Sequence, residues 1–149
     1  EVMRKATQYR PFRDVIFVAT SAHELGLLGL DNFLERRPGL VQDAHVWLHF
    51  GADVGRQTRF SGTDGELKSQ ANATLEAAGV TPATPAPQGS TVGAESQVVA
   101  RGGGRVAALV GHSSLFHLET DRWPHAIDAE AISQVANAFT SLALQMSGE

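Results

Sequence analysis

The stretch DVIFVATSAHELGLLG, residues 14–29, decides the predicted fold, because an apolar run leads directly into a His-Glu pair and a glycine-punctuated turn. Residues 15–19 carry no polar side chain, which is typical of a strand buried on both faces, as in a parallel sheet under helices. Such sheets bind ligands beyond the carboxyl ends of their strands. His23 and Glu24 are therefore predicted to lie at the edge where chemistry takes place.

The rest of the chain alternates between helical and strand patterns. The predicted helices cover residues 1–9, 27–36 and 65–78, and a C-terminal helix follows from apolar residues that recur every three or four positions between Ile132 and Met146. The predicted strands cover residues 15–19, 46–50 and 106–110. This alternation predicts an α/β fold, a three-layer sandwich of helices around a mainly parallel sheet. The proline-rich stretch 81–89 is predicted to be a loop within one domain, because neither flank is long enough to fold alone.

Composition limits the class of protein. The chain has 149 residues with 42% hydrophobic and 19% charged content, as expected for a single globular domain. The net charge of -4 comes without long charged runs, and no apolar stretch reaches membrane-spanning length, so neither nucleic acid nor a membrane is predicted as a partner. The chain has no cysteine, which excludes thiolate ligands and leaves the cellular compartment undetermined.

Two segments resemble the M28 family of zinc aminopeptidases, which includes the related glutaminyl cyclases. In that family an apolar strand runs into Glu-Glu-x-Gly-Leu-x-Gly, where the first Glu is the general base and the second is a zinc ligand. Here the segment reads HELGLLG from His23 to Gly29, so Glu24 matches the ligand and His23 occupies the base position. The segment FHLETD, residues 116–121, is similar to the family's closing His-Thr-x-x-Asp-Thr motif, and His117 would match its last zinc ligand.

Other positions depart from the family pattern. The paired zinc site also needs a His-x-Asp from an earlier strand, and residues 1–13 do not supply it. A later family Asp should fall in the segment after residue 48, but aligning the family's glycine with Gly55 places Ala52 at that position and Asp53 one residue later. The resemblance therefore implies a zinc-exopeptidase-like domain over residues 1–149 that is incomplete, lacks the N-terminal strands and has a degenerate metal site.

The site residues have alternative interpretations. Glu24, His117 and Asp53 are candidate zinc ligands, and His23 is a candidate general base or third ligand, since a metal hydrolase needs neutral imidazole or carboxylate ligands and a separate base. Alternatively, Glu24 caps the following helix, His23 donates to a backbone carbonyl, and a residue after His117 caps a turn. His49 lies near a strand end but lacks a paired histidine spacing, so it is interpreted as an ordinary surface or core residue, and Glu95 could face the same edge.

Two classes of function follow. The first is a degenerate M28-like domain without an intact two-zinc site, with a binding or structural role. The second is an aminopeptidase-like hydrolase that uses one zinc ion, with His23 in place of the usual Glu base, on a peptide or amino-acyl substrate. A chain that opens on Glu1 without an initiator Met is also expected to be a piece of a longer protein. Its open sheet edge is expected to be covered by a homodimer partner or by an N-terminal segment.

Overall fold

A strand of five small or apolar residues, Val106–Val110, is the centre of the sheet. The computed structural model describes residues 1–9, 11–52, 58–80, 84–85, 93–111 and 113–148. The described strands are β1 (Trp47–Phe50), β2 (Arg59–Gly62), β3 (Thr84–Pro85) and β4 (Val106–Val110). The described helices are α1 (Val2–Tyr9), α2 (Leu28–Glu35), α3 (Leu40–Asp43), α4 (Gly65–Ala77), α5 (Ala94–Arg101) and α6 (Ala129–Gly148), and a short 3-10 turn covers His23–Leu25. Among the described helices, none is long and apolar enough to cross a membrane.

The strands form a mixed sheet in the order β1-β4-β2-β3. Strand β4 runs parallel to β1, with Trp47 opposite Val106, and antiparallel to β2, with Phe60 opposite Leu109. The two-residue strand β3 lies parallel to β2. The prediction of a zinc-exopeptidase-like three-layer sandwich around a mainly parallel sheet is therefore wrong.

The connection after β1 gives the physical reason for the mixed sheet. A parallel return needs a crossover of about a dozen residues or more, usually through a helix. Strand β1 ends at Phe50 and β2 begins at Arg59, so the connection covers only residues 51–58. The chain therefore returns in the opposite direction, and β4 later inserts between the two strands with the orientation of β1.

The side chains of β4 alternate between two hydrophobic clusters, one on each face of the sheet. Ala107 and Leu109 pack in a cluster with residues of α4 and α6, including Leu67, Leu75 and Leu142. The other members, Val106 and Ala108, pack with Leu30 of α2, Val99 of α5 and the partly buried Trp47 of β1. Because successive side chains of a strand point to opposite faces, β4 must be apolar at every position to complete both clusters.

Most of the predicted helices are confirmed within one or two residues, as are the strands at residues 46–50 and 106–110. Strand β2 and helices α3 and α5 are not among the predicted elements. The predicted proline-rich loop lies mostly outside the described residues, and its Thr84–Pro85 pair forms β3.

The predicted strand at residues 15–19 is wrong. The segment has no assigned helix, strand, turn or bend, and the side chains of Ile16 and Phe17 are exposed. An apolar run becomes a buried strand only when neighbouring strands pair with both of its edges and helices cover its faces. Within the described part of the chain, no strand pairs with this segment.

Candidate functional site

A carboxylate lies between two histidines at the carboxyl end of β1. Glu95 is in the first turn of α5, and its Oε1 lies 2.8 Å from Nδ1 of His23 in the 3-10 turn. The second oxygen, Oε2, lies 3.6 Å from Nε2 of His49 in β1. Three elements that are distant in sequence thus bring one carboxylate and two imidazoles together.

Strand geometry explains why His49 reaches this carboxylate. Leu48 packs in the cluster with α4 and α6. The ring of Phe50 makes an edge-to-face contact with the ring of Phe139 of α6, with ring centroids 5.4 Å apart. His49 lies between them in sequence and must point to the opposite face, which is the face that α5 covers. Helix α5 begins beside it, where a carboxylate is favoured by the free N–H groups and the helix dipole.

The two histidines differ in burial, and their pKa values shift in opposite directions. His23 is 52% exposed, and the hydrogen bond and the negative charge of Glu95 raise its pKa. His49 is only 18% exposed, and burial lowers its pKa despite the charge of Glu95. Burial alone would raise the pKa of Glu95, but the hydrogen bond from His23, a backbone hydrogen bond and the histidine charges outweigh it and lower the pKa. As the pH falls, His23 is therefore protonated before His49.

Beside this group, a second carboxylate lies close to a third histidine, and the two residues come from the two segments that carry the family resemblance. Glu24 follows His23 in the 3-10 turn, and its Oε1 lies 3.4 Å from Nε2 of His117. The imidazole of His117 stacks on the ring of Phe116, with centroids 3.9 Å apart. Both members of the pair are largely exposed, Glu24 by 75% and His117 by 63%. Two segments that are distant in sequence therefore meet at this pair.

Left-handed backbone occurs at or beside these side chains. Ala22 precedes His23 and has a φ of 59°, Ala94 precedes Glu95 with a φ of 52°, and His117 itself has a φ of 64°. Residues other than glycine adopt this conformation at a cost of about 1–3 kcal/mol, and they keep it only where surrounding contacts hold it. Such strain is often found at functional sites, which supports the assignment of the site to this edge.

The predicted ligand set comes together only in part. His23 contacts Glu95 rather than a backbone carbonyl, Glu24 contacts His117, and Asp53 lies outside the described residues. A zinc site needs at least three protein ligands. In the part of the chain that the structure describes, no three His, Asp or Glu side chains are arranged to hold a metal ion. The described residues do not complete a zinc site, and zinc stays a prediction.

Sequence reasoning gave little weight to His49 and Glu95, which hold the centre of the site. A signal for Glu95 was present in residues 93–101, where a glycine is followed by an acidic residue in the first turn and an arginine in the last turn of α5. Recognising that helix would have placed Glu95 at a helix N-terminus that faces the end of β1.

Three comparisons with known proteins were made. A scan against protein-family models, a search of curated proteins and a search of solved structures each found no match.

Proposed function

We propose that this chain is a binding domain with M28-like motifs, in which the His-carboxylate edge recognises a ligand without two-zinc hydrolysis. The edge is formed by His23, Glu24, Glu95 and His117. The motif resemblance supports this proposal through the two segments that meet at Glu24 and His117.

The observation that carries this proposal is the exposure of the groups that would do chemistry. His23, Glu24 and His117 are each more than half exposed. Electrostatic stabilisation of a transition state depends on a site from which water is excluded, because water screens the charges that must act. An open edge of charged and imidazole groups suits reversible binding better than catalysis.

The chemistry of the edge favours a ligand with a cationic or hydrogen-bond-donating group. The carboxylate of Glu24 has free acceptor capacity on its exposed side, and Phe116 and Leu25 beside the pair expose apolar surface. A peptide or amino-acyl group combines an ammonium with an apolar side chain, so it fits both features.

A hydrolase that uses a single metal ion is the second candidate, and one contact favours it. The 2.8 Å contact with Glu95 fixes Nδ1 of His23, which leaves Nε2 of the same ring directed away from the carboxylate. A carboxylate that orients an imidazole in this way is common to general bases and to metal-bound histidines. Glu24 and His117 would be two ligands of the zinc ion, completed by one of His23, His49 or Asp53.

Calorimetry and an activity assay together separate the two candidates. A leucine amide and a series of dipeptides would be titrated into the protein, and leucine p-nitroanilide hydrolysis would be followed with and without added zinc. We expect binding that Glu24→Gln weakens about tenfold, in line with the loss of one charge-assisted hydrogen bond, and no hydrolysis. Glu119→Gln is the matched control, because Glu119 is also exposed and lies two residues from His117.

Zinc-dependent hydrolysis that His23→Asn abolishes would establish the second candidate instead. Equal binding by the wild type, Glu24→Gln and Glu119→Gln would show that the edge does not recognise the ligand.

A further inference from the structure

Residues 14–20 form no helix, strand, turn or bend. No hydrogen bond among the described residues uses an N–H or C=O group of this segment. Its two ends are held, because Arg13 donates its N–H to the carbonyl of Ser147 at 3.0 Å and Gly29 donates to the carbonyl of Ser21 at 3.1 Å. The segment is therefore held at both ends, while its backbone N–H and C=O groups make no hydrogen bond to the other described residues.

The side chains of this segment are those of a strand interior. Residues 15–19 read Val-Ile-Phe-Val-Ala, and Ile16 is 58% and Phe17 46% exposed. Beta-branched and aromatic residues favour strands because they pack on a pleated surface. An exposed run of this kind, with an open backbone and no charge, is the typical template for pairing with another strand.

We propose that two copies of this chain associate by pairing residues 15–19 as antiparallel strands around a two-fold axis at Phe17. This inference is independent of the proposed ligand site. A closed two-fold interface uses the same residues from both subunits, and strand addition supplies affinity through main-chain hydrogen bonds.

The sequence around Phe17 is compatible with itself in this register. Phe17 lies opposite its own copy, Ile16 opposite Val18, and Val15 opposite Ala19. Aromatic and β-branched pairs across strands stabilise a sheet, and like charges in opposition destabilise it.

The charged residue at the segment's end also agrees with this register. Asp14 lies opposite Thr20, so its charge meets a hydroxyl group of the other copy. No like charges oppose each other along the pair. Because the ends of the segment are already held, little ordering entropy opposes its pairing.

Sedimentation velocity over a micromolar to millimolar range tests this assembly. A pair of five-residue strands is small for an interface, so we expect a reversible monomer–dimer equilibrium at the upper end of that range. Phe17→Glu places two carboxylates opposite each other on the axis, and the variant should remain monomeric. Leu118→Glu is the matched control, since Leu118 is also exposed, at 55%, and should dimerise like the wild type.

Cysteine cross-linking tests the register, because the chain has no cysteine of its own. On the two-fold axis, Phe17→Cys should form a disulfide-linked dimer under mild oxidation much faster than Leu118→Cys. A mixture of Ile16→Cys and Val18→Cys proteins should give the mixed dimer faster than either protein gives its own. A wild-type monomer throughout the range, a Phe17→Glu dimer, or equal cross-linking at residues 17 and 118 would each overturn the proposed assembly.

Discussion

The core is the hydrophobic cluster between the sheet and the helices α4 and α6, and the N-terminal segment covers residues 14–25. Both are rich in apolar residues, but only the core buries them. In the core, Leu67, Leu109 and Leu142 are completely or almost completely buried between the sheet and the helices α4 and α6. In the N-terminal segment, Ile16, Phe17 and Leu25 are exposed, and no described strand pairs with residues 15–19. The difference teaches that apolar content alone does not determine burial, since a buried strand also needs neighbours for its backbone.

A pair of leucine substitutions should show the largest effect of this contrast. Leu142→Ala leaves a cavity among α4, α6 and β4, and we expect the free energy of unfolding to fall by about 2–5 kcal/mol. Leu25→Ala removes the same atoms from a side chain that is 69% exposed and should change it by less than about 0.5 kcal/mol. Urea denaturation followed by circular dichroism measures both values. Equal losses would mean that the N-terminal segment is buried in solution, as it would be in an assembly.

The cap of α4 should give the next largest effect. Asp64 accepts a hydrogen bond from the N–H of Leu67 at 2.8 Å and one from Nε of Arg105 at 3.0 Å, which joins the helix start to the beginning of β4. Burial opposes its ionisation, but the hydrogen bonds from Arg105 and Leu67 outweigh burial and lower its pKa. Asp64→Ala should therefore reduce the free energy of unfolding by about 1–2 kcal/mol.

Glu66 provides the control for this cap. Its carboxylate lies 3.8 Å from Arg105 and is 88% exposed, so Glu66→Gln should have almost no effect on unfolding. If Glu66→Gln destabilised the protein as much as Asp64→Ala, the charge of Arg105 rather than the helix cap would explain both losses.

The sequence could predict the core far better than the N-terminal segment. Helices α4 and α6 and strand β4 were recognised because their apolar spacing matches one structure and because their partners bury them as the spacing requires. The short strand β2 has no clear period, and the direction of its pairing depends on the length of the connection after Phe50 rather than on composition. Residues 15–19 were assigned to a strand because their side chains suit one, and their pattern does not report whether a partner is present.

The candidate site could be predicted only in part for a related reason. Glu24 and His117 were found through motifs, each of which is local in sequence. The contact between His23 and Glu95 joins residues separated by 72 positions, and Glu95 stands in a helix that was not recognised. Contacts of this kind follow from the topology, which the alternating pattern of helices and strands does not specify.

The two histidines around Glu95 should make the stability of the protein depend on pH in opposite directions. The lowered pKa of His49 means that stability falls as the pH drops below its ordinary value of 6.5 and through the lowered pKa. The raised pKa of His23 means that its contribution is complete below 6.5 and is lost as the pH rises through the raised pKa. The urea midpoint should therefore decrease on both sides of about pH 6.5 when it is measured between about pH 5 and pH 8.

Single substitutions assign each limb of this pH profile. His49→Gln keeps a polar atom near the position of Nε2 and should flatten the acid limb, while His23→Asn keeps one near Nδ1 and should flatten the alkaline limb. The alkaline effect should be the smaller, at less than about 1 kcal/mol, because His23 is half exposed and water screens its ion pair. A profile that neither substitution changes would place the titrating groups elsewhere.

The smallest effect on stability is expected from the pair Glu24 and His117, which lies entirely at the edge. Both side chains are largely exposed and 3.4 Å apart, so Glu24→Gln and His117→Gln should each change the free energy of unfolding by less than about 1 kcal/mol. Added zinc separates the two proposed functions at this pair, because a metal that binds only the folded state raises the melting temperature. If the pair holds zinc, the wild type should be stabilised by the metal and both variants should lose that response. A melting temperature that zinc leaves unchanged in all three proteins would instead favour the binding domain, in which the pair is a polar contact surface.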